Sequence, residues 1–226
     1  MHFVYSAAEL EAIAVQTLSE YGGAAAVDSR EPLDVDAFAE LFLGATLDFG
    51  NLSADGHTDG FTALSDGVVC LWDPARGTHQ MVKTKKKTIF LDVNASHEGR
   101  GRFTLAHECA HIILHRPLEA DFSPGEDAVL TRVDLGFKTR PRSNPCDPAA
   151  GERWREWQAN HLAGALLMPI RPVLRMRAEY FNDDPLDMVA QPLSDRLMET
   201  FGVSRSAART RLSHLTGYEL TAPAVA

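Results

Sequence analysis

Two histidines four residues apart, with a glutamate directly after the first, stand in His107-Glu108-Cys109-Ala110-His111. At about 100° and 1.5 Å per residue, helix positions i and i+4 lie one turn apart on nearly the same face. Both imidazoles could therefore grip one ion. Glu108 would then fall beside that ion rather than on it, where its carboxylate could take a proton from a water that the ion polarises. The chemistry this spacing allows is metal-assisted hydrolysis. The other residues from Phe103 to Leu114 are almost all apolar, Ala, Cys or Thr, so the helix should be buried on most sides. Two imidazoles and a carboxylate buried without partners would be costly. The structural alternative is a pair of core histidines bonded to carbonyls.

A hydrolytic metal centre needs a third protein ligand and one open position. An extended His-Glu-x-x-His-x-x-Gly-x-x-His pattern is excluded, because Leu114 and Pro117 stand where its Gly and His would be. His115 lies a turn beyond His111 but has drifted about 80° from His107 around the helix, which suits a supporting or packing residue. A better source is the stretch from Glu152 to Met168, a second helix that Pro169 should end. On it Glu156, Asn160 and Ala163 share a face, so Glu156 is the first choice for the third ligand, with Asn160 supporting the site one turn later. Glu152, His115 and His161 remain chemical alternatives.

Elements that would position these groups can be read along the chain. Ser6 with Glu9 forms a capping-box pattern, followed by Leu10, Ile13, Ala14 and Leu18 at helical spacing, until Gly22-Gly23 stops the run. A second helix should run from Asp34 to Gly44, with Leu33 and Phe38 as a hydrophobic staple. Ala45 to Phe49, Val68 to Trp72 and Thr88 to Val93 read as strands of a small sheet, the last a candidate edge for holding an extended peptide. Lys83 to Lys87 reads as a solvated basic loop. Residues 117–148, with five prolines in the stretch, read as a long loop that either covers the cleft or forms a surface insertion. Pro185 and Pro192 each suit a first helical turn, and a last helix should span Arg205 to Thr216. The expected division is a domain at 1–184 and a helical segment at 185–226.

Composition narrows the classes. With 226 residues and 45% hydrophobic content the chain supports a real core. No apolar stretch nears the ~20 residues of a membrane span, and no leader pattern opens the chain, so the cytoplasm is the expected address. Cys70, Cys109 and Cys146 have neither disulfide-framework nor zinc-knuckle spacing. A net charge of -9 opposes general attraction to DNA or acidic lipid.

The stretch from Arg102 to His111 with His115 beyond it, followed by Glu156, Ala159, Asn160, Ala163 and Leu166 to Pro169, resembles the ImmA/IrrE family of metallopeptidases. Pro32-Leu-Asp34 and Phe201-Gly-Val-Ser204 with Arg211-Leu212 resemble its flanking segments. The resemblance implies an α+β fold in which zincin-like helices pack on a small mixed sheet, with a C-terminal helical appendage. It implies that His107, His111 and Glu156 hold Zn2+, with Mn2+ as the second choice, and that Glu108 activates water. The implied activity is cleavage of a helix-turn-helix transcriptional repressor in a regulatory or stress response. Cys109 departs from the family's bulky aliphatic residue and Leu162 from its usual Phe. The 117–148 insertion separates the two motifs widely, and the family's frequent N-terminal DNA-binding module has no clear match.

Two other readings compete. Leu193 to Phe201, the Gly202-Val-Ser204 turn and Arg205 to Thr216 have helix-turn-helix proportions, and Arg205, Arg209 and Arg211 could meet DNA. Against this, the same pair could pack inward through Val203, Ala208, Leu212 and Leu215, which the acidic total charge favours. The remaining reading is a repressor-binding regulator whose metal is structural.

Overall fold

The computed structural model describes residues 5–94, 98–115, 135–137, 150–182 and 184–216. The chain divides into two compact units, one built from residues 35–160 and the other from 5–34 together with the chain from 161 onward. This division differs from the 184/185 boundary expected from sequence, because the first helix is grouped with the C-terminal ones.

The first unit is α+β. It opens with a short α2 (Val35–Ala37) that widens into a π-helical turn, Phe38–Phe42, closed by Leu43 N–H to the Phe38 carbonyl at 3.1 Å. One regular helix from Asp34 to Gly44 was expected. Instead Gly44 takes φ 65°, and the Lys87 ammonium caps the Leu43 carbonyl at 2.8 Å, satisfying a helix-end acceptor. A mixed sheet follows in the order β1 (Thr46–Gly50), β5 (Thr88–Asp92), β2 (Gly60–Ala63), β6 (Leu135–Phe137), with β1 parallel to β5 and the other pairings antiparallel. The Thr88 strand is thus internal to the sheet, not the edge that sequence suggested. A separate hairpin joins β3 (Gly67–Asp73) to β4 (Thr78–Thr84); the last residues of β4 overlap the expected basic loop, whose remainder is the turn into β5.

Alternation assigns the faces of β2. Phe61 and Ala63 point to one side, where they form a core with Leu52, Val69, Leu71 and Phe90, and Phe61 stacks on Phe90 at 4.8 Å between ring centres. Gly60 and Thr62 point to the other side, against α3 (Glu98–Leu114). Most of the 117–148 insertion lies outside the described residues, apart from β6.

The second unit is helical. Helix α1 (Ala7–Asp28) starts in the expected capping box, with Glu9 accepting from the Ser6 N–H at 2.7 Å. Its helical backbone breaks at Gly22 and Gly23, the latter at φ 68°, then resumes as far as Asp28. Helix α4 (Ala150–Leu167) begins in the first unit and continues into the second; α5 (Ile170–Phe181) follows Pro169 directly. Pro185 caps α6 (Leu186–Phe201), so Pro192 falls inside the helix rather than in a first turn. There it can donate no bond to the preceding turn. Gly202 at φ 60° ends α6 and Arg205 begins α7 (Arg205–Thr216). Val203, Ala208, Leu212 and Leu215 are all buried. Among the described residues no helix is long and apolar enough to cross a membrane.

Candidate metal centre

The apolar sequence of α3 buries His107, Glu108 and His111 completely. Helix α4 brings Glu156 to the same place. His107 Nε2 and His111 Nε2 lie 3.1 Å apart, and each is 3.3 Å from an oxygen of Glu156. Ligand atoms of the three residues all fall within 4.8 Å of one another, so His107, His111 and Glu156 lie close enough to bind one metal ion.

The outer ring nitrogens explain which atoms face inward. His107 Nδ1 is 3.1 Å from the side-chain oxygen of Asn160, an acceptor, so Nδ1 carries the proton and Nε2 presents a lone pair. His111 Nδ1 is 2.9 Å from His115 Nδ1. Burial holds the His115 imidazole down at about 2, with His111 and Arg155 adding to the effect, so His115 is neutral and can accept this bond. Burial likewise holds His111 down at about 4, against a raising contribution from Glu156. Burial pushes the Glu156 carboxyl up, but the two imidazoles outweigh it and hold the group at about 2. With His111 neutral and Glu156 ionised, the cluster turns two imidazole nitrogens and a carboxylate inward. Glu156 Oε2 is buried without an aligned donor, even though His107 Nε2 is near. Such a set is electrostatically incomplete by itself and fits a divalent cation, whose ligands must be deprotonated.

Glu108 projects from the same turn toward β2. The Thr62 hydroxyl donates to Glu108 Oε2 at 2.8 Å and also lies 3.2 Å from the Glu108 main-chain carbonyl. Thr62 is fully buried. Gly60, two residues earlier, leaves space that a Cβ would fill to within 2.9 Å of Thr104 Cγ2 and 3.3 Å of Glu108 Oε1. Neither residue was found from sequence. The one signal available was a glycine at the start of the short stretch Gly60-Phe-Thr-Ala63, which does not say what it approaches.

The other candidates are placed elsewhere. His161 belongs to the second unit, where its Nε2 lies 2.8 Å from Glu11 and its ring stacks on His214. Tyr180 is half-exposed in that unit beneath Arg196. The Glu152 side chain and Cys146 lie outside the described residues. Cys109 is buried and its thiol is pushed well up by burial and by Glu108, so it is an inert packing group. The three arginines considered for DNA are engaged within the second unit: Arg211 is buried against Glu11, Arg209 bonds Gln191, and Arg205 pairs with Asp195 at 3.2 Å.

A His-Glu-x-x-His helix whose two imidazoles converge with a carboxylate from the following helix is the kind of centre that zincin-type metallopeptidases carry. Comparison with family models matches residues 71–133 and 141–213, over half the chain, to a peptidase family described as the IrrE N-terminal-like domain. The chain belongs to this metallopeptidase family. No curated protein matches it.

Proposed function

We propose that the protein is a zinc-dependent endopeptidase that cuts a helix-turn-helix transcriptional repressor and so releases the repressed genes. The observation that carries the hydrolytic part is the convergence of His107 Nε2, His111 Nε2 and Glu156 on one point, with Glu108 next to His107 in the chain. His107, His111 and Glu156 would hold the ion, and Asn160 and His115 fix the imidazole tautomers from behind. Zinc suits two nitrogens and one carboxylate; manganese is the competing choice, favoured less by imidazole than by oxygen ligands. When bound, the ion supplies Lewis-acid polarisation of the scissile carbonyl and of water.

Glu108 does the proton chemistry. Its carboxylate accepts a proton from water as the water oxygen bonds to the carbonyl carbon, and later delivers that proton to the departing amine. The buried surroundings strengthen each of these interactions relative to water.

The repressor substrate and the regulatory role rest on the ImmA/IrrE resemblance, supported by family membership. The test begins with metal content after purification without added metal. One ion per chain, lost in Glu156→Ala, is expected. Metal-loaded protein is then incubated with a cell extract and new protein amino termini are labelled. A repressor cut by the parent and not by Glu108→Gln is the expected outcome. Metal held equally by Glu108→Gln and parent, with no difference in new termini, would favour a repressor-binding regulator with a structural ion.

A further inference from the structure

A glutamate acting as general base has three rotatable bonds and works only when its carboxylate lies within hydrogen-bond reach of the proton it takes. In the first unit that aim is set from the sheet. Gly60 and Thr62 share the helix-facing side of β2, and opposite them stand Thr104 and Glu108, one turn apart on α3. The strand and helix periods meet here, so two successive inward positions of the strand address two successive turns of the helix.

From this juxtaposition we infer that Thr62 is a positioning residue for Glu108, and that Gly60 keeps the space its carboxylate occupies. This deepens the hydrolase reading and rests on it. The Thr62 hydroxyl reaches Glu108 Oε2 at 2.8 Å, a charge-assisted bond of the stronger kind. It fixes the side chain from one oxygen, with the other beside Gly60. Substituting Gly60 would place a methyl 3.2 Å from the Phe90 carbonyl and closer still to Thr104, on backbone and packed groups that cannot swing away.

The second acceptor gives the threonine a further use. Its hydroxyl also lies 3.2 Å from the Glu108 carbonyl oxygen. The buried hydroxyl therefore spans the side chain and the main chain of the same residue, which ties the aim of the carboxylate to the helix backbone. Valine would remove both contacts; serine would keep both.

The test compares Thr62→Val and Thr62→Ser with the parent, each judged folded by circular dichroism, with Thr62→Ala in reserve should the valine variant fail to fold. In metal-free protein the Glu108 side-chain carboxyl carbon is followed by 13C NMR, assigned by its disappearance in Glu108→Gln. We expect Thr62→Val to shift and broaden this signal and Thr62→Ser to keep it near the parent's. Cleavage is followed on a pool of quenched fluorescent peptides of random sequence. The expected result for Thr62→Val is a rate lowered by about 10-fold at unchanged metal content, with most of it restored in Thr62→Ser and no further loss when valine is added to Glu108→Gln. An unmoved Glu108 signal, or a parent-like rate in Thr62→Val while Glu108→Gln is inactive, overturns the positioning role alone. Parent-like cleavage by Glu108→Gln overturns the hydrolase reading and the positioning role together.

Discussion

Each unit of this molecule buries a histidine against a glutamate, and the two pairings come out differently. In the first, Glu156 meets His107 and His111, with His111 held neutral by burial. In the second, Glu11 meets His161 and also Arg211, whose Nη2 donates at 2.8 Å and whose Nε donates to the Met168 carbonyl at 2.9 Å. A guanidinium cannot lose its charge at any ordinary pH. It therefore neutralises Glu11 from within the protein, and the cluster needs no added ion. The Glu156 cluster gathers inward lone pairs and a carboxylate instead. What separates a metal centre from a structural ion pair is thus not the His and Glu content but whether the chain supplies the compensating cation.

The comparison can be broken at Arg211. It is fully buried, so Arg211→Met would leave Glu11 as an uncompensated charge and should cost about 3–5 kcal/mol in denaturant unfolding. The double variant Glu11→Gln/Arg211→Met should recover most of this. Metal per folded chain should stay at the parent level in both. A loss below about 1 kcal/mol in the single variant would mean that Arg211 does not neutralise Glu11 in the way its geometry implies.

The complementary experiment adds the missing cation to the other cluster. Zinc at about 1,000 times its dissociation constant should raise stability by about 4 kcal/mol in the parent, because only the folded chain assembles the site. His107→Ala should lose this gain while Arg211→Met keeps it. Equal stabilisation of the parent and His107→Ala, measured by thermal unfolding with and without chelator, would place the ion elsewhere.

The two clusters were not equally legible in the chain. His107 and His111 could be read because their spacing is local, and Glu156 with Asn160 because a helix fixes which residues share a face. Arg211 could not be read as a buried cation. Its partner lies 200 positions away, and on a helix that also carries Arg205 and Arg209 an arginine looks like a surface group or a DNA contact. His161 was weighed as a ligand for the same reason: its chemistry was visible and its partner was not. In the separate hairpin, β3 announced itself through Val68 and Val69, whereas β4 is mostly exposed and polar and gave no apolar alternation. Thr62 escaped because its role depends on strand register against a helix more than forty residues later. The α+β class survived these omissions, since the buried strands and the two site helices carry it.

Acid should expose the Glu11 pairing in the stability profile. For Glu11, burial raises the carboxyl but Arg211 and His161 outweigh it and hold it at about 2, against 4.5 for the ordinary group. The folded pKa is depressed, so its stabilisation is complete above about pH 4.5 and is lost as pH falls toward 2. Linkage puts this at on the order of 3 kcal/mol. His214 is also depressed, to about 4, chiefly by burial, and its contribution fades earlier, between 6.5 and about 4. Metal-free parent and Glu11→Gln/Arg211→Met should therefore share the upper limb of the stability profile, and only the parent should show the Glu11 loss below pH 4.5. Parallel profiles over that lower range would count against a depressed Glu11.

The smallest effect should come from the groups behind the metal ligands. Asn160→Ala removes the acceptor for His107 Nδ1–H, and His115→Phe removes the one for His111, yet neither removes a ligand atom. Each should weaken zinc binding by about 10- to 100-fold, as loss of an orienting partner does elsewhere, while Glu156→Ala abolishes it. Competition with a chromogenic chelator measures the difference. The direction matters more than the size. If the outer bonds select the tautomer, Asn160→Asp should bind at least as tightly as the parent, because a carboxylate accepts the same proton and makes the imidazole a better donor to the ion. Weaker binding by Asn160→Asp than by Asn160→Ala would mean that Asn160 offers its amide nitrogen instead, and the inward lone pair on His107 would have to be abandoned.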